Sequence, residues 1–205
     1  MDPITLLGTV TGMGTFAGIN LYLTTLLAGV AIRLNLVHLA EKHESLAILG
    51  SPWVLAAAAV LYVVEFVADK IPGLDSVWDG FHTLIRPVGA AILGFKAMGN
   101  VSPEFEIIGA LAAGGFGLTT HTAKSATRLI ANTSPEPVSN LLLSLGEDVG
   151  VVGGVALMFL YPTLALVLCT ALLVVLWIVL PKIFRKLGGF LKVIKAKVFR
   201  SPQPA

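Results

Sequence analysis

The sequence predicts an all-α integral membrane protein: about six transmembrane helices, suggestive of two inverted three-helix repeats, followed by a C-terminal basic amphipathic helix. Three observations predict it. Of the 205 residues, 56% are hydrophobic and 13% charged, far from the shares of an ordinary soluble domain, and mean hydropathy is +0.87. A helical span takes about 20 apolar residues, so about six spans account for nearly the whole chain. Finally, seven of the fourteen Lys and Arg residues lie in the last 24 positions: Lys182, Arg185, Lys186, Lys192, Lys195, Lys197 and Arg200. The positive-inside tendency places such a tail in the cytoplasm. Residues 1–181 therefore read as one transmembrane domain, with repeats at 1–100 and 101–181, and residues 182–205 as a basic cytoplasmic tail.

Span one runs from about Leu6 to Ile32. The uncharged stretch from Ile4 to Ile32 is too long for a signal-peptide core and has no basic segment before it, so it reads as a retained span. Gly8, Gly12, Gly14 and Gly18 give it a seam of small residues that a neighbouring helix can approach closely. Leu34 to Gly50, with His38, Glu41, Lys42, His43 and Glu44, is too charged to span and reads as an interfacial helix or loop. Ser51 and Pro52 supply an N-cap and first-turn signal for span two, Pro52 to about Lys70. The Ile71-Pro72-Gly73 breaker ends it. A third helix follows from about Ser76 to Met98, with a kink site at Pro87.

After a loop at Asn100 to Pro103, span four covers about Phe105 to Ala131, and Asn132 to Pro137 is a turn. The 43 residues from Val138 to Leu180 carry only Glu147 and Asp148 as charges. They exceed one span and divide near Tyr161 and Pro162 into spans five and six. In the tail, Ile183, Phe184, Leu187, Phe190, Leu191, Ile194 and Val198 recur near helical spacing among the basic residues. That pattern fits a helix lying on anionic lipid, not a nucleic-acid-binding arm. Cys169, the one cysteine, sits in an apolar run and reads as a packing residue. Trp53, Trp78 and Trp177 fall near helix ends and read as interfacial anchors.

The suggested duplication rests on two alignments. Gly14-Thr-Phe16 matches Gly114-Gly-Phe116, and Ser51-Pro52 stands as far from Glu65 as Ser134-Pro135 does from Asp148. Three spans per half would make the halves oppositely oriented, an arrangement that commonly places a binding site at their interface near the midplane. Six spans put both termini on the cytoplasmic side.

The informative polar stretch runs from Glu65 to Pro87. Glu65 and Asp69, four apart, share one face near the C-terminal end of span two, where the helix dipole disfavours carboxylates. Asp75, Asp79, His82 and Arg86 are spaced four, three and four, which aligns them on one stripe of the third helix. Span four carries Thr120, His121, Lys124, Thr127 and Arg128 at similar spacings. Glu147 and Asp148 lie about ten residues into span five, roughly 15 Å deep. Ionisable groups at that depth cost at least ~2.5 kcal/mol each when unpaired, so they are expected to face inward and to be paired, protonated or hydrated.

Two readings compete. Six acids (Glu65, Asp69, Asp75, Asp79, Glu147, Asp148) against four bases (Lys70, Arg86, Lys124, Arg128) can form a salt-bridged scaffold that only locks helices together. Alternatively, the excess of acids and the interspersed histidines line a pathway for a cation or protons. A third reading, a metal-dependent lipid-modifying enzyme using Asp75 and Asp79, lacks the longer aspartate series or second aspartate-rich motif such enzymes carry. No cofactor and no zinc-ligand spacing is evident. Gly114, Gly115 and Gly117 have no preceding strand and read as helix-packing residues.

Glu65-Phe-x-Ala-Asp69-Lys70-Ile-Pro-Gly-x-Asp75, followed by Trp78-Asp79-x-x-His82-Thr-x-Ile-Arg86-Pro87, resembles the bacterial membrane proteins grouped as domain-of-unknown-function family 4126. Thr119-Thr-His-Thr-Ala-Lys124 and Ser134-Pro-Glu-Pro-Val-Ser-Asn140 extend the resemblance over roughly residues 5 to 180 and leave the basic tail outside it. The resemblance names relatives without naming a reaction. From the residues, the expected function is a small transporter or channel of the bacterial inner membrane, multi-pass, that handles a cation or protons, alone or coupled to another solute, in which Glu65, Asp69 and Asp148 coordinate or relay, His82 and His121 titrate, and Arg86, Lys124 and Arg128 balance charge or hold an anion. The expected partners are the bilayer, anionic lipids at the tail and further copies of the chain.

Overall fold

A computed structural model of the chain describes residues 3–36, 44–71, 73–99, 101–132 and 137–198, the last thirteen of these as backbone. All regular structure among the described residues is helical. The helices are α1 (Pro3–Ile19), α2 (Leu21–Arg33), a short 3-10 helix (Glu44–Gly50), α3 (Pro52–Ala68), α4 (Leu74–Ala97), α5 (Pro103–Ala131), α6 (Pro137–Leu160) and α7 (Pro162–Val198).

Helix α1 is the axis of the fold. Every residue from Gly8 to Gly18 is buried, and α1 packs against α5, α4, α7, α6 and α2. The glycine seam expected from the sequence is what permits this. The space a Cβ would need at Gly14 is filled by the backbone of Ala113, and that at Gly18 by Gly117 and Thr120, both on α5. Gly8 and Gly12 face Pro162 and Met158 in the same way. Helices α4 and α5 form the most extensive pair, with Gly94 against Gly109 and Ala113, and Gly117 against Ala90. Gly114 and Gly117 thus act in helix packing, while Gly115 has open space beside it.

Span one is not one helix, contrary to the sequence reading. The chain leaves helical geometry at Asn20 (φ −147°, ψ 100°), and its side-chain oxygen accepts the Leu23 N–H to start α2. Uniform hydropathy hides such a break, because both halves are equally apolar. Pro87 lies inside α4, and residues 137–160 and 162–198 divide at Tyr161, as the sequence indicates. Helix α7, however, continues through Pro181 to Val198, so the backbone has no break between the sixth apolar segment and the tail. The segment 37–43, with His38, Glu41, Lys42 and His43, the turn residues 133–136, and Asn100 lie outside the described residues.

Among the described residues, two helices are long and apolar enough to cross a membrane: Val138–Leu160 of α6 and Pro162–Arg185 of α7, with mean hydropathies of 1.7 and 2.9. Helices α1, α2 and α3 are apolar but shorter. Helices α4 and α5 have the length, 24 and 29 residues, and carry the charges. The molecule is apolar outside, with Val60, Val63, Phe81, Leu84, Leu111 and Val149 among many exposed large side chains. The charged side chains of Glu65, Asp69, Asp75, Asp79, Arg86, Lys124 and Arg128 are buried, while Arg33, Glu104, Lys182 and Arg185 lie at the surface.

Candidate functional site

The four-three-four stripe on α4 faces inward along its length: Asp75, Asp79, His82 and Arg86 are all buried. So are Glu65 and Asp69 from α3 and His121, Lys124 and Arg128 from α5. Helix α6 brings Glu147, whose side chain remains 17% exposed, and Asp148. All eleven site residues expected from the sequence therefore lie in or beside one region between α3, α4, α5 and α6.

Each long cation ties helices together. Arg86 Nη2 donates to Glu65 Oε1 at 2.9 Å, while its Nη1 is 3.3 Å from Asp79 Oδ1. Arg128 donates to the Asp69 carbonyl at 2.6 Å, to Asp69 Oδ2 at 3.1 Å and to Glu147 Oε2 at 2.5 Å. Its contact with the carbonyl meets part of the sequence-stated difficulty at the C-terminal end of α3, because a cation there satisfies a free carbonyl and offsets the dipole. Lys124 Nζ stands among four oxygens: Asp69 Oδ2 at 2.8 Å, Glu147 Oε2 at 3.3 Å, Glu65 Oε1 at 3.4 Å and the main-chain carbonyl of Ile19 at 3.3 Å.

The last of these joins the network to the helix break. Where α1 stops, the Ile19 carbonyl is taken by Lys124, and the Thr15 carbonyl accepts from Thr120 at 2.9 Å. Asn20 donates from Nδ2 to Asp148 Oδ1 at 3.1 Å. Tyr62 donates to Asp148 Oδ2 at 3.2 Å. Lys70 bonds the Phe66 carbonyl and Ser144 and lies 2.8 Å from the Phe66 ring centroid.

The two histidines differ in what their neighbours permit. His121 Nδ1 lies 2.8 Å from Arg86 Nη1. A guanidinium only donates, so Nδ1 accepts and the proton of the ring sits on Nε2, facing the Thr83 and Ser125 hydroxyls at 3.2 and 3.4 Å. Protonating Nδ1 would turn two donors on each other. His82 Nδ1 instead donates to the Trp78 carbonyl at 2.8 Å, leaving Nε2 beside the Tyr22 hydroxyl at 2.9 Å. Since a hydroxyl donates or accepts, His82 keeps its hydrogen bonds in either charge state. Trp78 stacks on the His82 ring, 4.6 Å between centroids. Trp53 is exposed at 86%.

Several buried acceptors receive no donor. Among them are Asn140 Oδ1, Glu65 Oε2, Asp69 Oδ1 and both carboxyl oxygens of Asp79, to which Arg86 stands in ion-pair range without hydrogen-bond geometry; the Nε groups of Arg86 and Arg128 likewise have no hydrogen-bond partner. Asp75 is the opposite case. Its Oδ1 accepts from the N–H groups of Gly73 and Ser76 and from Asn132 Nδ2, and its Oδ2 accepts from Asn132 and Asn140. The described residues hold no group of three or more His, Cys, Asp or Glu side chains placed to bind a metal ion.

The sequence reading missed the neutral members: Asn20, Tyr22, Tyr62, Thr83, Asn132, Asn140 and Ser144. One signal was present for Asn20, an amide in the middle of an otherwise uncharged apolar run, and another for Asn140, which closes the Ser134-to-Asn140 stretch. The others have none, since their role depends on what the fold brings opposite them.

With this geometry in view, the chain's relatives can be stated. Residues 7–182 match the family described as "Domain of unknown function (DUF4126)". The chain belongs to this family. No curated protein and no solved structure matches it. The match ends at residue 182 and so includes every side chain of the buried network.

Proposed function

We propose that this DUF4126 protein is a small multi-pass membrane transporter or channel whose polar interior handles a cation or protons, with six spans, both termini on the cytoplasmic side and the basic tail on anionic lipid. One observation carries the reading. Six buried or half-buried carboxyl groups meet four fixed cations, and among the acids Glu65, Asp69 and Asp79 keep oxygens that no donor reaches. A carboxylate in a medium of low polarity without a donor is costly, so the surplus calls for a proton or a mobile cation. The break at Asn20 supports the same reading, because interrupted helices expose main-chain groups at membrane depth where they line a site. Halves 1–100 and 101–181 as inverted repeats would put Glu65 and Asp148 in corresponding places.

The test is flux. Protein reconstituted into liposomes should show pH- or ion-dependent flux across a broad cation panel, and Glu65→Gln should abolish it. Wild type and Glu65→Gln behaving alike, with no flux for any ion, sinks the proposal. A second reading, a membrane scaffold whose charges only lock the helices, draws on the ion pairs that Arg86, Lys124 and Arg128 each make with carboxylates. Under it, Glu65→Gln alters thermal stability alone.

A further inference from the structure

Resting on the reading that the network is the solute site, we infer that the pocket now filled by the Lys124 ammonium is the binding place of a free ammonium-type cation, and that Lys124 is a tethered stand-in that holds it between arrivals.

The pocket stands without Lys124. Glu65 is fixed by Arg86 at 2.9 Å, Asp69 and Glu147 are both fixed by Arg128 at 3.1 and 2.5 Å, and the Ile19 carbonyl is fixed by the end of α1. Four oxygens aimed at one nitrogen, each positioned by something else, make a preorganised site. Lys124 itself has one close partner. Only its contact with Asp69, at 2.8 Å, falls within the ordinary hydrogen-bond range, the other three being 3.3 to 3.4 Å. The lining is main-chain and carboxylate oxygen with no sulfur or imidazole, which suits a cation that donates hydrogen bonds in several directions. Two carboxyl oxygens, Glu65 Oε2 and Asp69 Oδ1, still lack donors on the same groups that hold the ammonium. A free ammonium has four N–H bonds to offer, whereas a lysine has three.

Lys124 also has somewhere to go. It lines a groove of about 400 Å³ between α5, α6 and α7, walled by Leu142, Leu143, Leu172 and Leu176, with Glu147 on the same wall. Among the carboxylates that pair with Lys124, Glu147 is the most open, at 17% against 3% for Asp69 and 0% for Glu65. Lys124 can swing toward the groove while staying paired with Glu147, and a free cation then takes its place against Glu65, Asp69 and the Ile19 carbonyl. One ammonium leaves the pocket as another enters, so the pocket is never an unpaired buried charge.

Methylammonium is the probe, read as binding to purified protein in detergent, with choline as a control too large for the pocket. A ligand competing with an internal occupant has its affinity reduced by the fraction of time the site is free. If Lys124 fills the pocket nine-tenths of the time or more, Lys124→Ala should bind methylammonium at least about tenfold tighter than wild type, and choline should not compete. Folded Lys124→Ala that binds no methylammonium, or binds choline equally, overturns the inference. Should that variant fail to elute as a single species, wild type carries the test. Methylammonium should then accelerate acylation of Lys124 by a membrane-permeant amine reagent, read by mass spectrometry, and an unchanged rate overturns the inference. Binding without flux would sink the transport reading alone, whereas flux of other ions without methylammonium binding would sink this one alone.

Discussion

Asp75 and Asp79 sit one turn apart on the same face of α4, equally buried, and are treated in opposite ways. Asp75 is ringed by donors from its own turn and from α5 and α6, with Arg128 only at 4.0 Å. Its charge is spread over neutral N–H groups, and those groups depend on it. The Asp79 carboxyl has a guanidinium in range and no hydrogen bond. The contrast shows that burial and periodicity do not separate an acid ringed by donors from one that has none. What separates them is whether the neighbours are satisfied by the charge or merely tolerate it.

Three substitutions press on that contrast. Asp75→Ala should be the most damaging, because it leaves the amides of Asn132 and Asn140 and two backbone N–H groups facing a cavity. At roughly 1–3 kcal/mol for each buried group left without a partner, and with some rescue by water, a loss of about 3 kcal/mol is expected, read as a lower unfolding temperature in detergent. Asn140→Ala removes one donor and should cost about 1.5 kcal/mol with flux retained. Asp79→Asn should change stability by less than about 1 kcal/mol, since Arg86 keeps Glu65 and no hydrogen bond is lost, yet it should abolish flux. If Asp79→Asn proves as destabilising as Asp75→Ala, the two acids are both structural and the contrast collapses.

The stripe on α4 and its counterpart on α5 were readable because helical periodicity is local: residues three and four apart share a face whatever the fold. The glycine seam was readable for the same reason, and Tyr161-Pro162 marked a true boundary. The division of span one was not, because hydropathy averages over a window and a single Asn barely moves the average. Nor was the continuity of α7 through Pro181. Proline removes one hydrogen bond, but unwinding a helix in apolar surroundings exposes several backbone groups, so continuing is the smaller loss. Apart from the N–H groups of Asp75's own turn, the donors around Asp75 and Asp148 come from segments 57 to 128 residues away, a separation over which a sequence carries no local pattern.

Helix α1 lies sheathed by neighbours that are made after it, including α7, whose Pro162 backbone fills the notch at Gly8. Among the described helices, α1 therefore finds its final surroundings only once α7 has been made. Contacts so distant along the chain slow closure around it.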